Sequence, residues 1–239
     1  MTNLPAVAID FETTCATADA QATELGLCPV VFSDKGILNP RMDAVSVRCK
    51  PDRDISFGAM SVTGICPEDV ANEDDHKTVV PALMPSGEAY IIGHNVDYDI
   101  RVAENASVDV SNYYAICTLA IARDLYPDAQ HSLGALLYML DYDYARQHAQ
   151  HAHSAAHDVR FCVRLLRIFC RNIGITDMQS LYEYSEQARI PKIMPLKKYK
   201  GQVITEMAKN NDGRKYLNWV IDNVEDNPYL IKACKQALE

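Results

Sequence analysis

Two carboxylates two residues apart open the chemistry of this chain. They lie in Ala6-Val7-Ala8-Ile9-Asp10-Phe11-Glu12-Thr13-Thr14, which is apolar up to the first acid. As a strand, the segment turns Asp10 and Glu12 to one face and Phe11 to the other. Adjacent carboxylates at a buried sheet repel unless a cation neutralises them, and a hard divalent ion taken through oxygen suits them. An edge strand with solvated acids is the plain alternative, since a lone D-x-E is a weak signal. Further acids and histidines follow in His94-Asn95-Val96-Asp97-Tyr98-Asp99 and in His153 to Asp158. Asp158 opens a long helix, where the dipole favours a carboxylate whose oxygens stay available to a metal. His153, five residues earlier, approaches the same place from a looser segment and is suited to exchange protons near neutral pH. Asp97 competes with Asp99, although residues two apart on a helix face different ways. His157 competes with His153. A zinc site from His148, His151, His153 and His157 lacks a Cys or carboxylate at ligand spacing.

The elements that must position these groups read as α/β. Thr23–Phe32 reads as a second strand, with Pro29 marking an edge or a bulge, and Ala44–Cys49 as a third. Ala89–Gly93 and Tyr114–Cys117 read as short buried strands. Helices are expected around Gly64, over 72–83, 98–105 and 119–125 (with Thr118 as cap), over 133–140 behind Ser132, and most strongly over Asp158–Ile173, ended at Gly174. Residues 148–157 read as a polar, alanine-rich connection. Strands first, then alternating strands and helices, imply a sheet with helices on its faces.

The 239 residues suffice for one large domain, or one domain and a small module. The eight cysteines are scattered without a C-x-x-C pair, which argues against a zinc ribbon or disulfide framework and for a reducing cytoplasm. No apolar run reaches a membrane span, and no signal pattern opens the chain. The net charge of −9 speaks against a general nucleic-acid binder, but it is uneven. From Ala188 on there are ten basic and six acidic residues, a balance of +4, against thirteen and twenty-six, or −13, before it. Gln187–Thr205 holds no acid and carries Lys198-Tyr199-Lys200, a composition suited to phosphate contact and base stacking, or to a solvated linker before a small helical cap that buries Tyr216 and Trp219.

With these residues in view, the chain resembles the 3′–5′ exonucleases of the proofreading type, the DEDDh class. The matching motifs are Ile9-Asp10-Phe11-Glu12-Thr13, His94-Asn95-x-x-Tyr98-Asp99 and His153-x-x-x-x-Asp158, with Cys117-Thr118-Leu119-Ala120 and His131-Ser132-Leu133 in register between them. They cover about the first three quarters of the chain. The tail, with Lys198-Tyr199-Lys200-Gly201-Gln202, Met207-Ala208 and Tyr216-Leu217-Asn218-Trp219, resembles the small C-terminal module of the exodeoxyribonuclease X branch, including its phage-encoded relatives. Two departures stand out: Thr63 replaces a common His before Gly64-Ile65, and Leu196-Lys197 replace Phe-Gly.

The resemblance implies a ribonuclease H-like mixed sheet flanked by helices over residues 1–178, and a basic linker with a small, mainly helical module over 179–239. It implies that Asp10, Glu12, Asp99 and Asp158 hold two Mg²⁺ or Mn²⁺ ions and that His153 is the general base. Phe11, Thr13, Thr14, Ile65, His94, Asn95, Lys198, Tyr199 and Lys200 are expected to meet the substrate. The expected substrate is a DNA 3′ end, single-stranded or duplex, with RNA as the nearest alternative and a non-catalytic binding module as another. No membrane, haem or nucleotide cofactor is expected.

Overall fold

The strand that carries the first two acids, β1 (Ala6–Thr13), runs through the interior of a mixed sheet. In the computed structural model, which describes residues 4–148, 154–225 and 227–239, β1 pairs antiparallel with β2 (Ala22–Phe32) and parallel with β5 (Ala89–Gly93). β5 pairs parallel with β6 (Tyr113–Cys117), while β3 (Leu38–Pro40) and β4 (Val45–Arg48) both pair with β2. The path is β3-β2-β1-β5-β6, with β4 also on β2. Ala8, Ile9 and Phe11 are buried, as a strand covered on both faces requires. Solvated acids on an edge strand are thereby excluded.

Pro29 does not make β2 an edge. β2 has neighbours on both sides, and Pro29 lies where its outer partner changes: the β4 ladder ends at Leu27↔Val45 and the β3 ladder begins at Val30↔Pro40. A residue without N–H costs nothing in that gap. The short β3 escaped the pattern reading because three residues carry no periodicity.

Helix α8 (Ala155–Ile173) packs on β1 and β2. Its register against the sheet depends on Gly26, which sits opposite Asp10 across β1/β2. A Cβ at Gly26 would collide with the backbone carbonyl of Ala155. The missing side chain therefore lets the first turn of α8, with Asp158, settle beside Asp10. Gly26→Ala is expected to destabilise the protein by about 1–3 kcal/mol through overpacking and to depress hydrolysis further by displacing Asp158. Thermal melts and rates of the purified variant check this, and an unperturbed variant would remove the glycine from that role.

The remaining helices of this unit are α1 (Phe57–Thr63), α2 (Pro67–Val70), α3 (His76–Leu83), α4 (Val96–Asn105), α5 (Thr118–Leu125), α6 (Leu133–Leu140) and α7 (Tyr142–His148). Several boundaries differ from the pattern reading. α3 starts at His76 because the Asp75 carboxylate accepts from Lys77 N at 2.7 Å. Thr118 is the first residue of α5 rather than its cap, and the cap position is Cys117. α7 fills residues that the pattern left unassigned before the connection, and α8 begins at Ala155, inside what read as connection, and not at Asp158.

The residues divide into two compact units, Met1–Ser185 and Glu186–Glu239, with the division inside α9 (Met178–Ala188). The second unit holds a 3-10 turn over Lys197–Tyr199 and helices α10 (Ile204–Met207), α11 (Asn211–Asn223) and α12 (Pro228–Leu238). Its core contains Met194, Ile204, Met207, Leu217, Val220, Leu230 and Cys234. Trp219, which the alternative of a helical cap would bury, is 49% exposed. No helix among the described residues is long and apolar enough to cross a membrane, and all eight cysteines are free thiols.

Candidate active site

Three carboxylates from two distant segments converge. One oxygen each of Asp10, Glu12 and Asp158 lies within 4.8 Å of the others. Period two in β1 supplies the first pair, and the first turn of α8 supplies the third. Asp99 joins from α4. It is 4% exposed, and its Oδ1 accepts the Phe11 N–H at 3.2 Å. Asp97 on the same helix is exposed, so the fold turns Asp99, not Asp97, toward β1. The close approach of α4 to β5 is fitted at Gly93, where a Cβ would come 3.1 Å from Asp99 Oδ2. His153 lies outside the described residues.

A fifth acid completes the surroundings, and sequence reasoning passed over it. Glu24 stands opposite Glu12 across β1/β2. Its Oε1 accepts from Ser46 Oγ at 2.7 Å and its Oε2 from Ala155 N at 3.3 Å, so it ties the start of α8 to the sheet. A lone Glu within an apolar strand was the available signal, but its meaning needs the pairing register.

Among the residues expected to meet substrate, the structure separates interior from accessible groups. The Phe11 ring is buried, and its N–H is committed to Asp99. The Thr13 hydroxyl lies 2.7 Å from Tyr98 Oη and donates to Cys15 O at 2.9 Å. Thr14 is fully buried, with its hydroxyl accepting the Gln21 N–H. Ile65 packs with Ile55 and Val70 in a small core under α1 and α2. His94 has Nδ1 3.0 Å from Thr118 Oγ1 and Nε2 2.7 Å from the His131 carbonyl, and burial pulls its pKa down. With Nε2 donating to the His131 carbonyl, Nδ1 and the Gly93 carbonyl, 3.0 and 3.1 Å from Thr118 Oγ1, share its one hydroxyl proton. These side chains are held by internal partners and line the interior of the site. Asn95 differs: it is exposed, holds φ 82°, and makes no capping bond to α4. Asn tolerates this left-handed geometry better than most residues. Thr63 closes the end of α1, its hydroxyl donating to Ala59 O and accepting from Ile65 N.

The electrostatics are those of a cation site. Desolvation, then the charges of Asp99, Asp158, Glu12 and Glu24, hold the Asp10 pKa well above the ordinary carboxylate range. Desolvation, Asp158 and Glu24 push Glu12 up to about 7. Asp99 is pushed up to about 8, chiefly by burial and against the hydrogen bond from Phe11. The donor set, several carboxylate oxygens and no thiolate, fits hard divalent ions. Because these folded-state pKa values exceed unfolded ones near ~4, the metal-free protein binds more protons folded than unfolded. Its stability should fall as pH rises from about 4 through 7–8. A divalent ion competes with those protons, so the rise in melting temperature on adding Mn²⁺ should be larger at pH 8 than at pH 5.5. Equal rises at both pH values would contradict binding at these acids.

A second acidic group, Asp52, Asp75 and His76, has ligand atoms equally close. There Lys77 Nζ already donates to Asp52 Oδ2 at 2.6 Å, and Asp75 Oδ1 caps α3. It reads as an ion pair beside a helix cap.

Comparison with known proteins agrees with this architecture. The family model described as Exonuclease (RNase T) matches residues 7–166. Exodeoxyribonuclease 10 of Escherichia coli strain K12 is 26% identical over 224 residues, covering 93% of this chain and 96% of the relative. The PolC-type DNA polymerase III of Thermotoga maritima is 26% identical over 220 residues, 88% of this chain and 15% of that protein. A solved structure of exonuclease X in complex with 5′-overhanging duplex DNA superposes with a TM-score of 0.58 at 26% identity, over 75% of this chain and 99% of that one. E. coli exonuclease I in complex with a dA16 oligonucleotide shares the fold, with a TM-score of 0.59 at 17% identity over 80% of this chain and 44% of that one. The chain belongs to the Exonuclease (RNase T) family and is an exonuclease of the DEDDh superfamily.

Proposed function

We propose that this exonuclease is a metal-dependent 3′–5′ exodeoxyribonuclease that removes nucleoside 5′-monophosphates from DNA 3′ ends in the cytoplasm. The observation that carries the reading is the meeting of Asp10, Glu12 and Asp158 within 4.8 Å, beside the buried Asp99. DNA is favoured because relatives similar over most of the chain are an exodeoxyribonuclease and an exonuclease X seen with DNA.

In this reading Asp10, Glu12, Asp99 and Asp158 hold two Mg²⁺ or Mn²⁺ ions. Bound there, the ions supply activation of water and neutralise charge on the phosphoryl oxygens. His153 accepts a proton from the attacking water as the new P–O bond forms and the bond to the 3′ oxygen breaks. Asn95 contacts the terminal nucleotide, and the basic tail with Lys198, Tyr199 and Lys200 contacts the strand. Residues 1–178 act as the catalytic domain and 179–239 as the linker and accessory module.

A gel assay with 5′-labelled single-stranded DNA, duplex DNA and RNA of one sequence tests this. Stepwise shortening of DNA with Mg²⁺ or Mn²⁺, absent in EDTA, is the expected result. Preferential shortening of RNA would move the assignment to an exoribonuclease, and metal-dependent internal cuts would sink the exonuclease direction.

A further inference from the structure

The second unit carries a run of aromatic rings that leads from its core to the surface. Tyr199, on the 3-10 turn, lies 4.6 Å from Tyr216 of α11. Tyr216 stacks on Trp219, with centroids 5.5 Å apart and planes 18° from parallel. Tyr199 and Tyr216 lean on the buried cluster. Trp219 sits one turn further along α11 at 49% exposure, with Tyr216 against one side of the indole. Burying a tryptophan is one of the largest single gains a small core can make, yet this fold leaves its only tryptophan half in water.

Charge gives the exposed ring its context. Lys198 Nζ lies 5.3 Å from the Tyr199 centroid and 5.4 Å from that of Tyr216. Lys197, Lys198, Lys200 and, on α11, Lys215 are all exposed. Helical spacing puts Asp212, Lys215, Tyr216 and Trp219 on one stripe, with Asp222 a turn beyond. Acids thus close both ends of the stripe, and Lys198 of the 3-10 turn stands over its Tyr216 ring, with Lys197 and Lys200 beside it in the chain. An anionic chain is favoured across the helix toward Lys197, Lys198 and Lys200, and disfavoured along it. An aromatic face flanked on one side by cations suits bases that stack and phosphates that pair.

We infer that Trp219, Tyr216 and Tyr199, with Lys198, form a stacking platform for single-stranded nucleic acid: a base covers the indole and the adjoining phosphates meet the lysines of the 3-10 turn. The inference rests on the proposed reading, whose contact of Lys198, Tyr199 and Lys200 with the strand it deepens and from which it takes DNA as the strand. Double-stranded DNA fits less well, because its bases offer no open face. A protein partner is the competing occupant, but an acidic peptide would use the lysines without covering the indole.

Trp219 reports on its own occupancy, because its emission is the only indole signal in the chain. Full-length Asp10→Asn protein in EDTA, which prevents hydrolysis, is titrated with a 5′-fluorescein-labelled oligo(dT), following indole emission and dye anisotropy together. The expected result is saturable quenching with the same midpoint as the anisotropy. Trp219→Ala is expected to weaken binding about tenfold, within the ~5–100-fold span of single base–aromatic contacts. Trp219→Phe should keep most of the affinity. Lys198→Gln should reduce the slope of log affinity against log salt by about 0.7, the loss of one single-strand phosphate contact. Should Trp219→Ala misfold by circular dichroism, the emission of the Lys198→Gln protein carries the test. Anisotropy binding with unchanged emission, or equal affinity after Trp219→Ala, overturns the platform, as does no binding at all. Hydrolysis of the same oligonucleotide by the metal-loaded unsubstituted enzyme is read separately. Failure of the platform therefore remains distinct from failure of the proposed activity.

Discussion

Asp10→Asn protein is expected to lose metal-dependent hydrolysis by on the order of 10³-fold or more, the scale of deleting one group that stabilises transition-state charge. In EDTA at pH 8 the same protein is expected to melt higher than the unsubstituted one. Both effects come from one arrangement. Asp10 is half-buried among the charges of Asp99, Asp158, Glu12 and Glu24, where solvent screens them only in part. Without a cation, Asp10 either adds repulsion as a carboxylate or must hold a proton against its ordinary pKa, and asparagine keeps the shape while removing both costs. Relief of about 1–3 kcal/mol in a chain of this size corresponds to roughly 2–10 °C. With Mn²⁺ present the order should reverse, because the unsubstituted protein gains the ion. Lower stability of the Asn protein in EDTA, together with lost activity, would mean that Asp10 holds the fold together rather than serving a cation.

Substituting His153 should cost about 10²–10⁴-fold in rate, the ordinary contribution of a positioned general base. The pH profile makes this prediction sharper than the rate alone. An imidazole near its usual pKa of ~6.5 produces an acid limb, but so do the metal-binding carboxylates, since Glu12 titrates at about 7 and Asp99 at about 8 in the metal-free protein. Metal concentration separates them. Raising Mn²⁺ displaces protons from the carboxylates and moves their limb to lower pH, whereas the imidazole limb stays. At saturating Mn²⁺ the unsubstituted enzyme should still lose activity about tenfold per pH unit below about 6, and the His153→Ala enzyme should be slow but flatter over the same range. An acid limb that vanishes entirely at high Mn²⁺ would take His153 out of the base role.

The parts of the site that were legible in sequence are those set by short-range geometry. Two acids at a spacing of two must share a strand face, and an acid in the first turn of a long amphipathic helix must sit at its positive end. These rules make Asp10, Glu12 and Asp158 candidates, but a lone D-x-E fits an edge strand as well, and only the family motifs joined the three. Choosing Asp99 over Asp97 needed either the family motif or the observed bond from Phe11 N. Glu24 and Gly26 were out of reach because their importance comes from the β1/β2 register, in which they oppose Glu12 and Asp10. No local pattern encodes which residue of a distant strand will lie alongside. Sequence also left unread how Thr13, Thr14, Ile65 and His94 are held. Their types suit substrate contact, but the fold turns them inward and satisfies their polar groups with Tyr98, Gln21, Thr118 and the His131 carbonyl. Pro29 misled for a related reason: a missing N–H signals an unpaired position, and a gap between two outer strands provides one as well as a sheet edge does.

The central claim, that Asp10, Glu12, Asp99 and Asp158 together form a divalent-cation centre, is tested most directly by anomalous diffraction from crystals soaked in Mn²⁺ with a nucleoside 5′-monophosphate. The account predicts two anomalous peaks about 3.5–4 Å apart, within coordinating distance of those four carboxylates and of the phosphate. Peaks only at Asp52, Asp75 and His76, or none at either place in crystals of active enzyme, would contradict it.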